Sequence, residues 1–181
     1  MKTSFITKVF VFVSFLVLSM SAQSEDLSQA LIDKYADSIK FLKSSDNKHI
    51  KAIEEKVLSN PDIDFDLDEN GQFSIVRNLI SSLDAKSVEA LSDAVEDLGF
   101  SSLDSWALIG DKVGGAMAAI NLQNEPVDLS EMTPEMIAMM PESMRADFED
   151  LLGAIEAVKN IPEADIELVR KNFSKLSVLM Q

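Results

Sequence analysis

Apolar residues recur every three or four positions through most of this 181-residue chain, and this spacing constrains its fold more than any other feature. Side chains three and four positions apart lie on one face of an α-helix, so each such stretch predicts a helix with a buried face. Three clear stripes are Leu27, Leu31, Tyr35, Ile39 and Leu42; Val88, Leu91, Val95 and Leu98; and Ile166, Val169, Phe173 and Leu176. We predict an all-α protein in which residues 23–181 form a single domain of six or seven helices.

Residues that begin or end helices separate these stripes. Ser24 is a candidate N-cap for the first helix, because its hydroxyl can accept a hydrogen bond from a free backbone N–H group. Gly99 is expected to end the helix before it, since glycine accepts the left-handed conformation common just beyond a helix. Ser101 or Ser102 is suited to cap the next one. The last helix is expected over residues 163–179.

Residues 62–76 depart from the helical spacing, because apolar residues alternate there with aspartates. Alternation with a period of two is typical of a strand. A three-residue loop would pair Leu67 with Phe73 in a short β-hairpin, with Gly71 in the left-handed conformation that such a loop requires. The alternative is that the chain enters a helix directly at about residue 73.

The same segment contains the first half of a calcium-binding loop. Asp66, Asp68 and Asn70, followed by glycine, are similar to the first oxygen ligands and the turn of an EF-hand loop. Arg77 stands where that loop has its bidentate glutamate, and this removes both charge and ligand oxygens. The three residues are a candidate weak calcium site, with an acidic turn that holds no metal as the alternative.

Five methionines lie within thirteen residues, and their spacing fits a helical stripe. They are Met132, Met136, Met139, Met140 and Met144. Methionine side chains are flexible and polarisable, which suits adaptable binding surfaces, and their thioethers are also soft ligands that select Cu(I). We predict a partner-binding surface here, with a copper site as the alternative, and we expect no cofactor.

The N-terminus has the three parts of an export signal. Lys2 and Lys8 make it positively charged, residues 9–20 form an uncharged run, and small residues follow. We expect residues 1–22 to be a cleaved signal peptide, with residue 24 as the alternative end. The predicted location is the periplasm if the source is a Gram-negative bacterium, and the exterior of the cell otherwise. No other stretch approaches the roughly 20 apolar residues of a membrane helix, so no membrane span is expected in the mature chain.

The chain is strongly acidic, with a net charge of −15. Removal of Lys2 and Lys8 with the signal peptide leaves 14 basic against 31 acidic residues, a net charge of −17. This balance argues against a nucleic-acid partner, because phosphate backbones reward clustered basic charge. There is no cysteine, and His49 is the only histidine, so no catalytic constellation stands out and we do not expect an enzyme.

These observations predict a non-enzymatic binding or interaction protein of the cell envelope. Its expected partner is a protein, a peptide or an apolar ligand. The alternative is a metal-binding protein that uses the acidic turn or the methionine cluster.

Overall fold

The structure is a computed structural model that describes residues 26–59, 67–124 and 134–179. Within these ranges the chain forms helices joined by short turns, and the prediction of a single all-α domain is confirmed. The helices are α1 (Gln29–Ser44), α2 (Lys48–Ser59), α3 (Ile75–Ser81), α4 (Ala85–Asp97), α5 (Leu103–Asn124), α6 (Pro134–Met139), α7 (Glu142–Val158) and α8 (Glu163–Leu179). The expected signal peptide, residues 1–22, lies outside the described residues.

Helix α5 is the centre of the domain. It packs against α1, α3, α4, α7 and α8, and it is the longest described helix at 22 residues. Because it has neighbours on several sides, it buries residues around most of its circumference, among them Trp106, Val113 and Ile120. Helices α1, α4 and α8 each bury one face against it or against one another.

Two glycines let neighbouring elements approach α5 closely. A Cβ atom at Gly110 would lie 2.7 Å from both the Tyr35 hydroxyl oxygen and the Val76 Cγ2 atom. A Cβ atom at Gly115 would lie 2.7 Å from the Phe73 ring. These distances are shorter than van der Waals contact. The packing of α1, α3 and the preceding turn against α5 therefore requires residues without a Cβ atom at these two positions.

The segment before α3 forms the predicted three-residue loop. Leu67 and Phe73 make an antiparallel bridge, and Gly71 has a positive φ of 71°. The Gly71 N–H donates to the Asp68 carbonyl at 2.8 Å, and the Asp68 N–H donates to the Gln72 carbonyl at 2.7 Å. The predicted register is confirmed, but the pairing is a single bridge because α3 begins two residues later.

One large cluster of apolar side chains forms the core, and α1, α2, α4, α5 and α8 all contribute to it. The fully buried residues include Ile32, Val95, Val113, Val169 and Leu176. Among the helices in the described ranges, none has the length and hydrophobicity needed to cross a bilayer.

Candidate ligand-binding site

A cavity of about 420 Å³, here named the apolar cavity, lies between α1, α2, α3 and α5. Its volume falls in the range of roughly 300–1,000 Å³ that is typical of small-molecule sites. Most of its lining is apolar. The residues with polar groups are Tyr35, Trp106, Lys43, Glu54 and Asn121. The apolar lining includes Ile39, Leu42, Ile50, Ile53, Ile75, Val76, Leu79, Ile80, Leu91, Gly110, Gly114, Met117, Ala118 and Leu179.

Tyr35 gives the apolar cavity a polar group. The residue is only 2% exposed and lines the cavity, yet its hydroxyl makes no hydrogen bond with any residue that the structure describes. Burial, and to a smaller degree the charge of Asp111, raises the pKa of Tyr35 well above its ordinary value of 10. The hydroxyl is therefore neutral across the physiological range, and it can donate or accept one hydrogen bond within the cavity.

Trp106 and Ser38 fix the wall behind Tyr35. The indole Nε1–H of Trp106 donates to the Ser38 hydroxyl at 2.8 Å, and that hydroxyl donates to the Tyr35 carbonyl at 2.6 Å. The rings of Tyr35 and Trp106 lie 5.6 Å apart, at an angle of 38°. Both aromatic side chains are thus held by packing and by a buried hydrogen-bonded chain.

An ion-paired cluster lies beside another face of α5. Arg77 donates through Nε to the buried carboxylate of Asp111 at 2.5 Å, and through its terminal nitrogens to Asp68 at 3.3 Å. The Val76 N–H donates to the same Asp111 carboxylate at 2.6 Å. Asp111 therefore holds the start of α3 against α5, and Arg77 ties the preceding turn to both helices.

The two carboxylates of this cluster are shifted in opposite directions. Burial raises the pKa of Asp111, although the bonds from Arg77 and Val76 oppose that rise. The pKa of Asp68 is lowered, first by the Gln72 backbone N–H and then by the Asn70 N–H and Arg77. The difference follows from exposure, because Asp111 is 2% exposed while the Asp68 side chain keeps contact with water.

The proposed calcium ligands are only partly described. Asp66 lies outside the described residues, while Asp68 and Asn70 lie in the turn. One Asp68 oxygen accepts the Asn70 and Gln72 N–H groups at 2.9 and 3.0 Å, and the other accepts the Arg77 guanidinium. Arg77, which replaces the EF-hand glutamate, thus supplies the positive partner of Asp68. Within the described ranges, no three histidine or acidic side chains are grouped as a metal site, and the calcium site stays a prediction.

The methionine cluster lies on α6 and at the start of α7. Met136, Met139 and Met144 are 49%, 85% and 54% exposed, and Met140 is half-buried. Met132 lies outside the described residues. The predicted partner surface and its copper alternative both stay predictions. The three exposed side chains are accessible to a partner protein and to a metal ion.

The apolar cavity is the feature that sequence reasoning missed. Its lining residues belong to ordinary apolar stripes, which predict only that they are buried. Whether two buried faces meet closely or leave a space depends on helix angles and on glycines such as Gly110 and Gly114. The stripe that contains Tyr35 gave no signal that its hydroxyl would be left without a partner.

The fold and the cavity together define a small all-α protein with an apolar cavity beside its central helix. Comparisons of the chain with protein-family models, curated proteins and solved structures found no match.

Proposed function

We propose that this protein is a non-enzymatic binding protein of the cell envelope, and that its ligand is an apolar molecule with one hydrogen-bonding group. The observation that carries the proposal is the apolar cavity of about 420 Å³, with a Tyr35 hydroxyl on its wall that no described residue bonds. This arrangement combines a large apolar lining with a small number of polar groups, which is the usual design of small-molecule sites.

The apolar lining supplies affinity. Transfer of an alkyl chain from water to such a cavity is favourable by roughly 0.8 kcal/mol for each buried CH₂ group, before the cost of immobilising the ligand. The side chains of Ile39, Ile50 and Leu79 come from three different helices and offer only hydrocarbon. They would exclude strongly hydrated ligands, because a polar group buried there without a partner is costly.

The Tyr35 hydroxyl supplies orientation. A ligand oxygen placed against it would satisfy a buried donor that no described residue satisfies. The expected ligand class is therefore a long-chain alcohol, ester or similar molecule rather than a pure hydrocarbon.

Export of the protein fits this activity. The charged start, uncharged run and small residues of the first 22 positions support secretion, and the net charge of −15 favours solubility. A soluble carrier of apolar molecules is useful in an aqueous compartment outside the cytoplasm.

Trp106 provides a direct test, because it is the only tryptophan in the chain and it lines the apolar cavity. Titration of the protein with 1-decanol should change the Trp106 emission in a saturable way. Tyr35→Phe removes one hydroxyl and should weaken binding by about 2–10-fold, the value of one hydrogen bond.

A cavity-filling variant and a matched control separate this binding from adsorption elsewhere. Gly114→Leu places a side chain in the lining, where a Cβ atom would lie 3.2 Å from Ile75, and it should abolish the response. Gly153→Leu makes a similar contact, 3.3 Å from Leu67, outside the cavity, and it should leave the response intact. Equal responses in the two folded variants, or no saturation in the parent protein, would contradict the proposal.

A second candidate function is partner binding through the exposed methionines Met136, Met139 and Met144. Large exposed apolar side chains grouped on one segment favour a protein interface. A photo-crosslinking residue at position 139 should capture a defined envelope protein, while the same residue at the exposed position 93 should not. Identical products from the two positions would count against this surface.

A further inference from the structure

A second cavity, here named the polar cavity, lies against a different face of α5. It has a volume of about 270 Å³ and is bounded by the turn before α3, by α5, by the end of α7 and by the start of α8. The residues that matter for its chemistry are Arg77, Asp111, Lys112, Asn160 and Asp165. It shares no lining residue with the apolar cavity.

Asp165 is the unusual member of this lining. The residue is 5% exposed, yet its carboxylate forms no hydrogen bond or ion pair with any residue in the described ranges. A carboxylate that is mostly shielded from water gains from a positively charged partner, and buried charges in proteins are usually paired.

The local sequence explains why the backbone does not satisfy Asp165. It is the third residue of α8, a position from which an acidic side chain commonly bonds the N–H of the residue before the helix. That residue is Pro162, which has no N–H group. The carboxylate gains from the positive end of the helix dipole, but no described residue donates a hydrogen bond to it there.

Within the described ranges, no ion pair joins Asp165 to Arg77 or Lys112, the two basic residues that line the polar cavity. Arg77 is bound to Asp111 and Asp68, and it also donates to the Phe73 carbonyl at 3.0 Å. Apolar atoms of Leu108, Ala157 and Ile161 complete the walls. The polar cavity therefore presents the buried Asp165 carboxylate beside hydrocarbon, and the exposed residue Asp26 adds a second carboxylate to its lining.

We propose that the polar cavity binds a small organic cation of the primary alkylammonium class, with Asp165 as its carboxylate partner. The ammonium group would donate to a carboxylate that lacks donors, and a short alkyl group would pack against the apolar walls. The strong negative charge of the whole protein would favour the approach of a cation. This site is independent of the proposed apolar ligand, because the two cavities have separate linings.

The test is a titration of ¹⁵N-labelled protein, as recovered from its producing cells, with n-propylammonium, followed by amide chemical shifts. Saturable shifts should be confined to residues around the polar cavity, and propionate, of similar size and opposite charge, should cause none there. Asp165→Asn should raise the Kd at least tenfold, whereas Glu163→Gln removes an exposed charge from the same helical turn and should change it less than twofold.

A second variant tests the proposal even if Asp165→Asn does not fold. Asn160 is exposed and lines the polar cavity, so Asn160→Lys should fold and place its own ammonium group near Asp165. This variant should block n-propylammonium and leave the 1-decanol response of Trp106 unchanged. The proposal is overturned if the shifts spread evenly over the acidic surface, if Asp165→Asn and Glu163→Gln weaken binding equally, or if n-propylammonium does not bind.

Discussion

Tyr35 and Ser38 are neighbouring buried hydroxyl residues of α1 whose side chains have different hydrogen-bonding environments. The Ser38 hydroxyl accepts from Trp106 and donates to a carbonyl, while the Tyr35 hydroxyl makes no bond with a described residue. The first therefore contributes to stability through hydrogen bonding, and the second is available for a ligand.

The difference can be measured by removing each hydroxyl. Ser38→Ala leaves the Trp106 N–H buried without an acceptor and should lower the free energy of unfolding by about 1–3 kcal/mol. Tyr35→Phe removes no intramolecular bond and should change it by less than about 0.5 kcal/mol. Urea denaturation of both variants would test this, and a large loss in Tyr35→Phe would show that the hydroxyl has a structural role.

Gly110 and Gly114 of α5 are expected to differ in the effect that substitution by alanine has on stability. Gly110→Ala would place a methyl group 2.7 Å from Tyr35 and Val76, and it should cost about 1–3 kcal/mol through overpacking. Gly114→Ala meets only the end of the Ile75 side chain, at 3.2 Å, and should be neutral or stabilising by up to about 1 kcal/mol, since alanine favours helix. Thermal unfolding would rank the two variants, and the opposite order would contradict the close-packing account.

At the scale of elements, α3 begins with the help of another helix. Ser74 precedes α3 but makes no side-chain capping bond, and the carboxylate of Asp111 in α5 accepts the Val76 N–H instead. A buried residue distant in sequence thus replaces the usual local N-cap. The stability of this seven-residue helix depends on α5 for that reason.

Asp111→Asn tests this dependence. The variant weakens the bond to Val76 and breaks the ion pair with Arg77, so it should lower the free energy of unfolding by about 2–4 kcal/mol. Asp93→Asn, on the exposed side of α4, removes the same charge and should cost less than about 0.5 kcal/mol. Hydrogen exchange should also show faster opening of α3 in Asp111→Asn alone.

The turn before α3 should be sensitive to acid through Asp68. Because its pKa is lowered in the folded protein, its stabilising contribution is complete above its ordinary value of 3.8 and is lost as the pH falls through the lowered value. The stability difference between the parent protein and Asp68→Asn should therefore be constant at neutral pH and should shrink below about pH 4. Denaturation curves across that range would show it, and a difference that grows on acidification would be inconsistent with the assigned contacts.

Element boundaries show how local signals compete. The Ser24 capping prediction was wrong, because α1 begins at Gln29 and Ser28 accepts the Leu31 N–H at 3.3 Å. Ser24 and Ser28 have the same N-capping propensity and both lie near the first apolar stripe. The stripe alone does not indicate which of them caps the helix. Ser102 was correctly among the predicted caps, since its hydroxyl accepts the Ser105 N–H at 3.1 Å. The last helix was predicted with its observed bounds.

At the scale of the whole molecule, the two cavities lie on different faces of one central helix. The apolar cavity is bordered by Gly110 and Gly114, and the polar cavity by Asp111 and Gly115. A substitution within α5 can therefore affect both spaces, whereas Tyr35 and Asp165 belong to one each. Those two residues separate the proposed binding activities most cleanly.

The sequence by itself determined the all-α class and most of the helices, because periodicity and capping are local properties. It also offered the Leu67–Phe73 pairing with a left-handed Gly71 as one of two alternatives for the segment before α3. Only the tertiary structure decided that the Tyr35 hydroxyl and the Asp165 carboxylate have no hydrogen-bond partner among the described residues, that Arg77 pairs with Asp111, and that two cavities lie beside α5. These features depend on how helices distant in sequence cross, and a stripe of apolar residues does not encode the space left between them.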